Sequence, residues 1–97
     1  MNFHSVPPLS MPWYRADDYA GVRDLCSDLP ASFEEWEAGA IEYYKMGHKA
    51  FPKQKIEKII IDAAALMAFA AEIGSDAVTR ETRWKLAAKI AKEQFYS

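Results

Sequence analysis

The 97-residue chain carries 12 Lys and Arg against 14 Asp and Glu, a net charge of −2, so no overall field draws it toward nucleic acid or an anionic membrane. With 51% hydrophobic and 27% charged residues it has the balance of one globular domain, and no length for a second core. A single Cys excludes an intrachain disulfide, and the longest apolar run, Ala63 to Ala71, is too short to span a bilayer.

Residues 1–12 contain Pro7, Pro8 and Pro12 and read as an extended N-terminal arm before a single globular domain over residues 13–97. The arm lacks the basic start and continuous apolar stretch of a secretory leader, and Met11 is a second candidate start. A first helix is predicted over Tyr14–Cys26, with Tyr19, Val22, Leu25 and Cys26 on one side and Asp17 and Asp18 at its positive end. Pro30 closes the connection that follows. Ser32 and Glu35 have the spacing of a capping box, which opens a second helix from Phe33 to about Met46 with Gly47 as its stop.

Residues 48–62 admit two readings. Pro52 can open one long helix to Ile73, giving an all-α chain. Alternatively Lys58-Ile59-Ile60-Ile61 is a strand buried on both faces, ending at Asp62, which caps a helix over Ala63–Ile73. Gly74 ends that helix, and a last one runs from near Thr79 to about Phe95, with Trp84, Ala87, Ala88, Ala91 and Phe95 as its apolar stripe.

Five segments carry a likeness: Trp13-Tyr14-Arg15-Ala16-Asp17-Asp18-Tyr19, Leu29-Pro30-Ala31-Ser32-Phe33-Glu34-Glu35-Trp36, Gly47-His48, Ile61-Asp62 and Arg83-Trp84-Lys85-Leu86-Ala87. On these the chain resembles a group of small bacterial proteins of unknown function, over about Met11–Ala88. The resemblance implies a strand after Gly-His, ending in Ile-Asp, and brings no activity or site residue. The chain departs from the pattern by extra residues around Phe51-Pro52-Lys53 and by Ala70 in place of a frequent Cys. The expected fold is therefore mainly α, a small α+β domain of about four helices with one short strand between the second and third. Its expected core is Tyr19, Val22, Leu25, Trp36, Ala40, Tyr43, Ile59, Ile61, Leu66, Phe69, Ile73, Trp84, Ala87 and Ala91.

No convergent chemistry emerges from the spacing, and no cofactor is expected. His4, His48 and Cys26 lie in separate regions and do not form a metal-ligand pattern. Asp17/Asp18 and Glu34/Glu35 are adjacent pairs at helix starts, where acids stabilise without reacting. A nucleophilic Cys26–His48 pair needs a shared cleft, and Cys26 belongs to an apolar face.

Charge is segregated: residues 16–44 hold eight acids against Arg23, and residues 45–58 hold five lysines against Glu57. Arg80, Lys85, Lys89 and Lys92 give the last helix a basic face. A helix-turn-helix over Leu66–Leu86 has the expected Ala70–Gly74 spacing, but Ser75, Arg80 and Arg83 fall where apolar positions belong. A lone strand needs partners for its backbone, which Phe3–Val6 or a second copy of Glu57, Lys58, Ile59, Ile60 and Ile61 across a two-fold axis could supply. The expected function is a non-catalytic, cytoplasmic accessory module that acts through protein contacts as a homodimer, with no membrane partner. The alternative is a nucleic-acid-associated regulator using the basic face, and a small enzyme ranks third.

Overall fold

The computed structural model describes residues 9–96, in the order β1 (Leu9–Trp13), α1 (Tyr19–Leu25), α2 (Phe33–Ala50), β2 (Ile56–Ile60), α3 (Ala63–Glu72) and α4 (Arg80–Tyr96). Four helices with a short strand between the second and third are present, and the all-α alternative falls. Phe3–Val6 lie outside the described residues. Among the described residues the partner of the Ile-rich strand is Leu9–Trp13, paired with it in parallel from Leu9↔Ile56 to Trp13↔Ile60. The Leu9 N–H donates to the Lys55 carbonyl at 2.8 Å and the Ile61 N–H to the Trp13 carbonyl at 2.9 Å, which fixes the two ends of the ladder. Parallel strands require a crossover, and α1 and α2 supply it.

Alternation along the strands then sets the layers. On one face α2 covers the sheet: Trp36 meets Trp13 edge-on at 5.0 Å, and the Lys58 ammonium lies 4.4 Å from the Trp13 ring and 4.6 Å from the Tyr44 ring. Ile59 and Ile61 belong to the opposite face, where Leu86 and Ala87 of α4 join them in the core. Ile60 is 43% exposed, so the Ile run is not buried on both faces as expected.

Local signals explain most helix ends. The Glu35 N–H donates to Ser32 Oγ at 3.1 Å, while that hydroxyl reaches Glu35 Oε1 at 3.1 Å, completing the capping box through the side chain. Asp62 Oδ1 accepts from Ala65 N–H at 2.7 Å at the start of α3. Gly74 adopts φ +67°, and Ser75 and Gly74 N–H groups return to the Ala70 and Ala71 carbonyls, a Schellman end.

Three expectations need correction. The first helix begins at Tyr19, not Tyr14, because residues 9–13 are strand and the chain must turn at residues 15–18 before coiling. The Asp18 carboxylate does not cap its own helix. It accepts from the Ala63 N–H at 2.9 Å and so caps α3. Gly47 does not stop α2, which runs to Ala50; a Cβ there would lie 2.7 Å from Ile56 Cδ1, so the glycine lets the helix cross β2.

Among the expected core residues, Tyr43 (49%) and Ile73 (44%) are exposed, while Met11, Tyr14, Leu29 and Leu86 are buried without having been expected. The inward stripe of α4 is rotated as well. Thr82, Arg83, Leu86 and Ala87 are buried, and Ala88 faces solvent. Arg83 takes an inward position because its charged head has a partner there.

Candidate functional site

That partner is Asp28, in the connection between α1 and α2. Arg83 donates both terminal nitrogens to its carboxylate, Nη1 to Oδ1 at 2.9 Å and Nη2 to Oδ2 at 3.0 Å, the fork geometry that makes Arg–carboxylate pairs strong. The Arg83 side chain is 6% exposed and that of Asp28 49%, so the pair runs from the core to the surface. The Tyr14 hydroxyl and the Cys26 thiol lie against the same guanidinium. Bonding from Arg83 holds the Asp28 carboxyl below its ordinary range. Burial works against the charge on Arg83, but bonding to Asp28 opposes it and the guanidinium stays protonated. Burial pushes the Tyr14 phenol up to about 12 and raises the Cys26 thiol, Arg83 opposing both shifts only in part. At neutral pH Tyr14 and Cys26 are therefore protonated, and Cys26 is not an activated nucleophile.

The same connection is pinned twice more. Pro30's carbonyl accepts from the Tyr19 hydroxyl at 2.6 Å and from Arg23 Nε at 3.1 Å. Beside it Trp36 gathers Trp13, Tyr14, Tyr19 and Phe33, all with ring centroids within 6.0 Å of its own. The Leu29–Trp36 segment is thus a clamped corner.

Two concavities flank the outer side of β1. A cleft of about 340 Å³ has Tyr14, Asp28 and Arg83 in its lining, with Trp36, Tyr43 and Trp84 as aromatic walls. Its polar floor is spent on internal bonds: no buried side-chain nitrogen or oxygen among the described residues lacks a hydrogen-bond partner. A second groove, of about 440 Å³, lies between the C-terminal half of α2, the start of β1 and α4. Leu9 (44%), Tyr43 (49%), Met46 (65%) and Phe51 (57%) line it and remain exposed. Tyr43 and Trp84 are common to both, and their rings meet at 5.9 Å as a bridge from α2 to α4. The Arg80 guanidinium lies 5.7 Å from the Tyr43 ring and 5.6 Å from the Trp84 ring.

The basic face anticipated on the last helix is divided. At roughly 100° per residue Arg80 points well away from Lys85, Lys89 and Lys92, which share one side. Lys85 pairs with Glu81 at 2.8 Å, and Lys89 lies 3.6 Å from Glu72 and 3.9 Å from Glu93. Lys92 is exposed. The first turn of α4, which would have to reach bases in a helix-turn-helix, directs Arg80 onto aromatic rings and Arg83 into the core.

The reactive pairs considered from the sequence do not assemble. Cys26 is buried beside Arg83, whereas His48 lies in the last turn of α2 with its ring 4.6 Å from Tyr44. Of the paired acids, Asp18 caps α3 and Glu35 accepts from the Ser32 hydroxyl at the start of α2. Among the described residues no three His, Cys, Asp or Glu side chains are grouped to hold a metal. No described helix is long and apolar enough to cross a membrane. The chain matches no family model, no curated protein and no solved structure, so the groove and the cleft are read on their own geometry.

Proposed function

We propose that this chain is a non-catalytic accessory module that acts through protein contacts, with the groove between α2, β1 and α4 as its contact face. One observation carries the reading: Leu9, Tyr43, Met46 and Phe51 line a single concave surface and are each more than two-fifths exposed. Scattered apolar residues are ordinary on a surface, but a contiguous apolar concavity marks a binding face. Arg80, held on the two rings at its edge, suits an apolar segment that carries an acidic residue at one end. In the neighbouring cleft Arg83 and Asp28 are spent on each other, which favours contact over chemistry there.

Affinity capture from native lysate tests the assignment with paired variants. Met46→Asp with Phe51→Asp should lose the captured protein, while Lys85→Glu with Lys89→Glu should retain it. Loss in the lysine variant and on nuclease treatment, with the groove variant unaffected, would instead establish the nucleic-acid reading and end this one.

A further inference from the structure

The sheet has two outer edges, and they differ. The two end bonds of the β1–β2 ladder fix its alternation. In β1, Leu9, Met11 and Trp13 direct their backbone groups to β2, and Ser10 and Pro12 direct theirs outward. Pro12 has no N–H to offer there, and the Tyr43–Trp84 bridge spans that side. In β2, Glu57, Ile59 and Ile61 face β1, so Ile56, Lys58 and Ile60 present their N–H and carbonyl groups to the far side. No third strand lies beyond them among the described residues. Asp62 continues the extended run with φ −105° and ψ 166°. Lys58 lies over Trp13 and Tyr44 but stays exposed, so its charge remains available at this edge.

We propose that this outer edge of β2 pairs antiparallel with the same edge of a second copy, on a two-fold axis through Ile60, making a four-stranded sheet. Charge and the exposure of Ile60 together narrow the register. An axis at Lys58 sets two ammonium groups face to face, and one at Glu57 sets two carboxylates face to face, both unfavourable. An axis at Ile60 places Ile60 opposite its own copy and Lys58 opposite Asp62 of the partner, twice by symmetry. It also covers the exposed Ile60 side chain, and Ile41 (38% exposed), one turn before Tyr44 on α2, lies on the same flank. The edge is separate from the groove, so the two assignments stand or fall independently.

Sedimentation and light scattering of the full chain should give twice the 11.0 kDa of one copy. Ile60→Pro removes only an N–H that points away from β1, so it should halve the mass while leaving the circular dichroism intact. Ile60→Lys, which brings like charges together on the axis, should do the same and decides the matter if the proline variant does not fold. Opposite residues at a hydrogen-bonded antiparallel position lie about 5.5 Å apart at Cα, within disulfide reach. Ile60→Cys should therefore cross-link on mild oxidation, and Ile73→Cys, at equal exposure, should not. Met46→Asp in the groove should leave the mass unchanged. A monomer at the highest soluble concentration, or a dimer unaffected by Ile60→Lys, would overturn the proposal.

Discussion

Arg83 and Asp28 share two hydrogen bonds but not one environment, and the difference decides what each substitution does. Asp28→Ala leaves a guanidinium that is 6% exposed without its partner, and the expected loss is about 3 kcal/mol. Arg83→Met puts an apolar side chain of similar length in the same place, while the half-exposed Asp28 turns to water; the expected loss is about 1 kcal/mol. Urea titrations of the two variants test the order, and equal losses would show that the pair does not span core and surface as described. The pH dependence follows from the direction of each shift. Arg83 lowers the Asp28 pKa in the folded chain, so this carboxylate adds stability above its unfolded value and loses it as pH falls through the lower folded value. The wild type should therefore weaken in acid more steeply than Asp28→Ala. Tyr14 behaves oppositely. Its folded pKa of about 12 lies above the ordinary 10.0, so its contribution is complete below pH 10.0 and disappears as pH approaches 12. Two pH units correspond to roughly 2–3 kcal/mol, and Tyr14→Phe should flatten the alkaline fall by that order. None of this was legible in the sequence. Asp28 and Arg83 lie 55 positions apart, and an Arg on an inward stripe reads as an interruption until its partner is known.

At the level of elements, the legible signals were those confined to one turn of chain. Ser32 with Glu35, Asp62 before an Ala-rich run, and Gly74 after it each act through bonds to residues within five positions, and each was readable as a cap. Asp18 and Gly47 were misread because their reasons lie on other elements: an N–H of α3 for one, a methyl group of β2 for the other. The glycines of α2 separate propensity from packing. Replacing an interior helical glycine by alanine gains about 1 kcal/mol. At Gly39 a new Cβ meets nothing within 4 Å, so Gly39→Ala should raise stability by that order. At Gly47 the Cβ would come within 2.7 Å of Ile56 Cδ1, so the gain is offset by displacing that methyl group, and Gly47→Ala should be near neutral or destabilising. Ile56→Val removes the obstructing methyl, and in that background Gly47→Ala should recover the gain. Thermal unfolding of the four combinations measures this coupling, and strictly additive effects would show that the helix and the strand do not touch there. Asp18→Ala should cost about 1 kcal/mol through the start of α3, not of α1, which amide exchange at Ala63 would reveal.

Across the whole molecule, the two ends of the described chain depend on each other. β1 supplies the ladder for β2, the Trp13 ring for Trp36 and a packing surface for α4, so residues 9–13 support elements distributed over the rest of the chain. The prolines at 7, 8 and 12 disguised this role, since they read as an extended arm outside the domain. Residues 9–13 are strand, and Pro12 sits where a strand needs no N–H toward its partner. The partner itself lies 47 positions away, beyond two helices that the parallel pairing requires, and no local pattern encodes such a pairing. A graded truncation follows. A chain cut to begin at Met11 loses Leu9 and Ser10, and with them both backbone bonds of Leu9 to β2 and one wall of the groove. Two net hydrogen bonds and a half-exposed Leu are worth about 2–4 kcal/mol together, less than the whole stability of a domain, so this shorter chain should still fold, with a lower urea midpoint. A chain cut to begin at Tyr14 loses the whole strand. β2 is then unpaired, Trp36 loses its edge-on neighbour, and α4 loses a packing surface along with Met11, which is 6% exposed. These losses fall on every layer at once and should exceed the roughly 5–15 kcal/mol that holds a domain together, so the cooperative transition should vanish. Tryptophan fluorescence against urea distinguishes the two cuts. A Tyr14 start that unfolds as sharply as the full chain would mean that the helices hold a core without the sheet.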